Sequence, residues 1–144
     1  MPPDEASAAV VELPPRGEGP QADRPIQRHL EQDWPRDLPA AQEQQLRAWG
    51  ARLLRADATG AGRERFPQVF GRRPPRLVAP AFSRVRIQAA IARRAPGGGA
   101  HRAVVHLVWA GTDRGGTTLD ARVTDLYFQQ PKGTDRWTAL PLPP

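Results

Sequence analysis

Hydrophobic and polar positions alternate most clearly over residues 103–128, a pattern that predicts two long strands joined by a glycine-containing turn. In the first strand both parities are mostly apolar, which is typical of a strand in mid-sheet with cover on both faces. His106 is the polar exception within that apolar run. In the second strand the apolar parity slips, so we expect a β-bulge near Thr124 and Asp125 to restore one apolar face.

Two further strands complete a predicted meander. Residues 83–94 alternate between apolar side chains and arginine, glutamine or alanine, and this period of two predicts a half-buried strand. The glycine-rich residues 95–100 are typical of a hairpin loop. Residues 136–140 predict a short last strand, followed by a proline-rich end. The sheet is therefore expected to be four-stranded and antiparallel.

Apolar residues at helical spacing precede the predicted strands in the sequence. Residues 25–34 place Ile26, Leu30 and Trp34 four residues apart, which predicts one apolar face of a short helix. Residues 66–70 predict one further apolar turn that caps the core.

The longest predicted helix covers residues 37–56. We expect Asp37 to cap its N-terminus and Glu43 to interact with the positive end of the helix dipole. Gly50 costs about 1 kcal/mol relative to alanine inside a helix, so we expect it to allow close approach of another element. The apolar stripe of this helix comprises Leu46, Trp49 and Leu53.

This order of elements predicts one α+β domain over residues 25–140, with a helix layer packed on one face of a curved antiparallel sheet. Residues 1–24 are expected to form a disordered, acidic, proline-rich tail, and residues 141–144 a proline-rich end. Over residues 26–140 the arrangement resembles the NTF2-like/cystatin-like group of cone-shaped α+β domains. That resemblance implies a scaffold that hosts small enzymes, ligand binders and interaction modules, and it assigns no residue a role.

The amino-acid composition argues against several kinds of functional site. The chain lacks cysteine and its three histidines are widely spaced, so we expect no disulfide, metal or cofactor. No segment has the roughly 20 apolar residues of a membrane helix, and the N-terminus lacks the features of a secretory signal. A cytoplasmic protein is expected. Arginine supplies 20 of the 21 basic residues, and this bias indicates a GC-rich bacterial genome.

The net charge of +6 is unevenly distributed. Residues 63–102 contain ten arginines and one acid, whereas residues 1–43 have a balance of −5. One interpretation is a basic patch that binds nucleic acid or another partner. The other is a solvated strand face that the acidic N-terminal segment partly neutralises. The candidate binding residues are Arg72, Arg73, Arg76, Arg84, Arg86, Arg93 and Arg94.

His106 is the strongest candidate for chemistry. Depending on strand register, Asp120 or Asp125 is expected to lie across from it, and a His–Asp pair can act as a general base. The alternative is a histidine whose hydrogen bonds are satisfied within the sheet. No nucleophile accompanies the pair at a diagnostic spacing, and the chain has neither a P-loop nor a dinucleotide fingerprint.

We therefore expect a non-enzymatic accessory or interaction domain with a protein partner. A second copy of the chain, in a homodimer, is one such partner. Two alternatives stay open. The first is non-specific nucleic-acid binding through the arginines. The second is a small pocket enzyme or ligand binder that uses His106.

Overall fold

The computed structural model describes residues 19–75 and 79–142. Its helices are α1 (Asp23–Asp33), α2 (Ala40–Thr59) and the single turn α3 (Pro67–Phe70). Its strands are β1 (Phe82–Arg94), β2 (Arg102–Asp113), β3 (Thr118–Gln129) and β4 (Thr138–Ala139).

The predicted domain, residues 25–140, lies within the described residues except for residues 76–78. Most of the predicted tail, residues 1–18, lies outside the described residues, as do residues 143–144. The remainder of that tail forms a 3₁₀ turn at Gly19–Ala22 and the first residues of α1.

The strands form one antiparallel sheet in the order β1-β2-β3-β4, which confirms the predicted α+β class and four-stranded sheet. The prediction of a covered central strand is also confirmed, because β2 is buried from Ala103 to Ala110. Both side-chain parities of this strand are apolar, so both sheet faces need cover.

The two long helices lie on opposite faces of the sheet. On the face that we call inner, Leu46 and Leu53 of α2 belong to the same core as Leu107. On the other face, which we call outer, Ile26 of α1 packs against Val108. Consecutive strand residues point to opposite faces, so Leu107 and Val108 cannot contact the same helix layer. The predicted single helix layer is therefore wrong.

Helix α2 approaches β2 closely at Gly50. A Cβ atom added there would lie 2.7 Å from Val105 Cγ1, which confirms the predicted close approach. The predicted cap at Asp37 is wrong, because Pro39 occupies the N-cap position. Asp37 Oδ1 instead accepts the backbone N–H of Arg94 at 2.9 Å.

The free edge of β1 is covered by helix side chains. Gln27 Oε1 accepts the Ala90 N–H at 2.9 Å, and Gln27 Nε2 donates to the Ala90 carbonyl at 3.0 Å. Two residues further on, Glu43 Oε2 accepts the Ala92 N–H at 3.4 Å. These contacts occupy polar groups that would otherwise offer a template for another strand.

Bulges concentrate at one end of the sheet. Strand β1 has register shifts between Ser83 and Arg86 and between Ile87 and Ala89. In β2 a single residue lies between Trp109 and Gly111. The pairing partners of these two residues in β3 are separated by two residues, Asp120 and Ala121, so β3 has a bulge there.

The predicted bulge near Thr124 and Asp125 is wrong, since the register is regular from Arg122 to Gln129. The extra residue lies earlier in β3, and it turns Val123 to the outer face while Leu126 packs in the inner core.

Candidate functional site

His106 and Asp125 form the centre of the outer face. They are directly opposite in the β2–β3 register, and His106 Nδ1 lies 2.7 Å from Asp125 Oδ1. Asp120, the other predicted partner, lies near the bulged end of the sheet instead. The structure thus selects between the two predicted registers, whereas a catalytic role for the pair stays a prediction.

Trp34 covers the histidine. It is the C-cap residue of α1, and its indole stacks on the His106 ring with centroids 4.6 Å apart and an interplanar angle of 29°. The Trp34 carbonyl accepts a hydrogen bond from Arg93 Nε at 2.8 Å. His106 Nε2 is buried and has no hydrogen-bond partner among the described residues. Trp34, the last residue of the apolar face predicted for α1, therefore covers the polar pair of His106 and Asp125.

Arg93, predicted to belong to an exposed basic patch, is buried with 2% of its surface accessible. Its Nη1 lies 2.6 Å from Glu43 Oε2 and 2.7 Å from the Ala92 carbonyl oxygen. Arg93 has the same parity as the buried Ile91, so its side chain lies on a covered face, and α2 supplies the acid that compensates the charge. The placement of Arg93 on an exposed face is wrong for these reasons.

Three large apolar side chains are exposed on the outer face or at its cover. The exposed fractions are 43% for Trp34, 70% for Val123 and 40% for Tyr127. Val123 and Tyr127 flank Asp125 at every second position of β3, so all three share the outer face. The sequence pattern indicates core positions for Tyr127 and, together with Leu119 and Ala121, for Val123, and their exposure shows that this interpretation is wrong. A bulge placed at residues 120–121 would have revealed their common parity with Asp125.

The other predicted arginines that the structure describes differ in exposure and in position. Arg84 and Arg94 are both exposed but lie ten residues apart on β1, or about 33 Å along an extended strand. Arg86 forms an ion pair with Asp23 of α1. Arg72 and Arg73 are exposed before β1, and Arg76 lies outside the described residues. Binding by these residues stays a prediction.

One acid near the end of α2 has a perturbed pKa. Asp57 keeps contact with solvent, and its partial burial raises its pKa above the ordinary value, while the neighbouring Arg63 guanidinium lowers that pKa in part. Asp57 lines a cleft with Val123 and Asp125, beside the exposed side chains of β3.

Residues 19–75 and 79–142 contain no cluster of three or more histidine, aspartate or glutamate side chains able to hold a metal. Within the same ranges, none of the helices has the length and apolar character needed to cross a membrane. Protein-family models, curated proteins and solved structures were compared with the chain, and none of them matches it.

Proposed function

We propose that the protein is a non-enzymatic interaction domain that binds an acidic protein partner on the outer sheet face. The carrying observation is that Trp34, Val123 and Tyr127 are exposed together around Asp125. Single exposed apolar residues are ordinary on protein surfaces, whereas adjacent ones mark interaction sites. Tryptophan and tyrosine are also the residue types that most often dominate binding energy at interfaces.

The His106–Asp125 pair supports this role by holding an anchor in place. The imidazole stacks beneath the Trp34 indole, and the Trp34 carbonyl is fixed by Arg93. An aromatic side chain that is already ordered loses little conformational freedom on binding. In this proposal the pair positions Trp34 and takes no part in chemistry.

Charge favours an acidic partner over a second copy. The chain has a net charge of +6, so two copies repel each other at long range, whereas an acidic protein is attracted. Arg102 is exposed and has the same strand parity as His106, which adds a cation beside the apolar side chains. A homodimer therefore has less support.

The two other functions also have less support. Arg86 and Arg93 are engaged in ion pairs, which removes two cations from the proposed nucleic-acid surface. His106 Nε2 is buried beneath Trp34, so a substrate has no direct path to the imidazole.

The resemblance to the NTF2-like/cystatin-like group remains part of the proposal at the level of architecture. Bulges in β1 and β3 support a curved sheet, since a bulge bends and twists its strand. A helix on each face departs from the expected single layer. Interaction modules occur within that group, and we retain the expectation of a cytoplasmic protein.

Position-specific photo-crosslinking in the cells of origin tests this proposal. A photoreactive amino acid is placed at Val123 or Tyr127, with matched controls at Gln44 on α2 and Gln68 on α3, which are exposed. We expect both outer-face positions, and neither control, to crosslink the same acidic protein. Equal crosslinking from all four positions, or no product, would contradict the proposal. A product formed by two copies of the chain would contradict the acidic partner.

A further inference from the structure

A second site lies at the bulged end of the sheet, where β1, β2 and β3 enclose a cavity of about 270 Å³. It is separate from the Trp34 cover and does not rest on the proposed function. The residues that line it are Arg84, Arg86, Ala110, Gly111, Thr112, Thr118 and Asp120.

The cavity has a fixed frame. Gln88 Oε1 accepts the N–H of Ala121 at 2.8 Å and so links β1 to β3. Asp113 Oδ1 accepts two backbone N–H groups of the β2–β3 turn, each at 2.9 Å. Arg114 Nη2 donates to the Ala79 carbonyl at 2.8 Å and ties the turn to the chain before β1. These bonds fix the backbone around the cavity, so its walls need little rearrangement to receive a ligand.

Backbone strain coincides with this cavity. Arg84 has a φ of 52° and Ala121 a φ of 53°, and among the described residues these are the non-glycine positions with positive φ. Both lie in bulges on the strands that flank β2. Such conformations are costly for residues with a Cβ atom and concentrate at ligand-binding positions.

Arg84 is the cation available to a ligand. Arg86 is already paired with Asp23, whereas the Arg84 guanidinium has no hydrogen bond or ion pair with another described residue. Arg84 is therefore a cation held in a left-handed bulge, a conformation that glycine would adopt without strain.

We propose that this cavity binds a small oxyanion, a carboxylate or phosphate group, through the Arg84 guanidinium. The planar guanidinium donates two parallel hydrogen bonds to such a group. The hydroxyl groups of Thr112 and Thr118, with oxygens 3.5 Å apart, supply further donors. Asp120 also lines the cavity.

Calorimetric titration with inorganic phosphate and with succinate tests this site and distinguishes the two anion types. We expect saturable binding of at least one probe. Arg84→Gln should weaken it about tenfold or more, because a charge-assisted hydrogen bond is lost. Arg94→Gln, which removes an exposed arginine at the other end of β1, is the matched control and should change affinity little.

Absence of saturable binding with both probes would overturn the site. Equal weakening by Arg84→Gln and Arg94→Gln would also overturn it, because that result indicates only attraction to net positive charge. Thermal unfolding of each variant checks the fold. If Arg84→Gln lowers the unfolding midpoint, Thr118→Val removes a hydroxyl donor from an exposed position and must weaken binding for the proposal to stand.

Discussion

At the residue scale, the buried pair of Glu43 and Arg93 is the most consequential contact of the described chain. Both side chains are almost completely buried, and Nη1 of the arginine lies 2.6 Å from Oε2 of the glutamate. The pair joins α2 to β1. Arg93 Nε also donates a hydrogen bond to the carbonyl of Trp34. It therefore connects the packing of the inner face to the aromatic cover of the outer face.

Replacing Glu43 with glutamine leaves the Arg93 cation buried without a counter-charge. We expect Glu43→Gln to lower the free energy of unfolding by about 3–5 kcal/mol, measured by urea denaturation. Glu31→Gln is the matched control, because Glu31 is only partly buried and pairs at 3.7 Å with the exposed Arg36. An exposed pair contributes at most about 1 kcal/mol. Equal effects of the two substitutions would contradict the importance of the buried pair.

Asp57 gives a pH-dependent prediction. Burial raises its pKa above the ordinary value of 3.8, with partial compensation from Arg63, so the folded protein holds this proton to higher pH than the unfolded chain. The contribution of Asp57 to stability therefore falls as pH rises from 3.8 through the raised pKa. We expect Asp57→Asn to be more stable than the wild type at neutral pH in urea denaturation. That advantage should shrink as the solution is acidified, and a less stable variant at neutral pH would contradict the assignment.

At the element scale, the contact between α2 and β2 depends on Gly50. Gly50→Ala gains about 1 kcal/mol in helix propensity but forces a methyl group against Val105, which is fully buried. Overpacking costs about 1–3 kcal/mol, so we expect a net loss of about 1 kcal/mol in urea denaturation.

The double variant Gly50→Ala with Val105→Ala tests the cause of that loss. Its destabilisation should be smaller than the sum of the two single losses by about 1 kcal/mol, because the methyl groups that clash are gone. Additive losses would show that the close approach at Gly50 does not matter.

The bulge in β3 leads to a second prediction at the element scale. Ala121 is exposed with a φ of 53°, a conformation that glycine adopts without steric strain. We expect Ala121→Gly to raise the free energy of unfolding by about 0.5–1 kcal/mol, since relief of strain exceeds the entropic cost. Ala81→Gly is the control at an exposed residue without positive φ and should destabilise the protein. Similar losses for both variants would contradict a strained bulge.

The sequence predicted most elements because their signals are local. The apolar spacing of α2, the glycine at its end and the doubly apolar β2 each follow from neighbouring residues, and Gly60 ends α2 with a φ of 86°. The bulge position was not predictable, because one extra residue at 120–121 or at 124–125 restores the same parity for Leu126. That choice depends on contacts across the sheet, such as Gln88 to Ala121.

The candidate site was predictable only in part, for the same reason. The pattern offered Asp120 or Asp125 as the residue opposite His106 and did not choose between them. It also did not reveal that α1 crosses to the outer face and covers His106 with Trp34. It also did not identify Glu43 as the buried partner of Arg93, because these residues are 50 positions apart. Long-range pairing of charged residues leaves no periodic trace in a sequence.

At the scale of the whole molecule, the helices cover the sheet unequally. Helix α2 covers the inner face, whereas α1 reaches Ala89 and Val108 on the outer face and leaves β3 exposed there. The uncovered region carries Val123 and Tyr127 beside the Trp34 cover. The proposal of an acidic partner rests on the net charge of +6 together with this apolar surface of the described residues.

The most direct test of the interaction face is the affinity of the crosslinked partner, purified and titrated calorimetrically against wild type and variants. We expect Trp34→Ala with Tyr127→Ala to weaken binding more than about tenfold, because aromatic anchors at an interface contribute about 2 kcal/mol or more. Gln44→Ala with Gln68→Ala, which changes two exposed side chains on α2 and α3, should leave affinity unchanged. Wild-type affinity in the aromatic variant would contradict the outer sheet face as the binding surface.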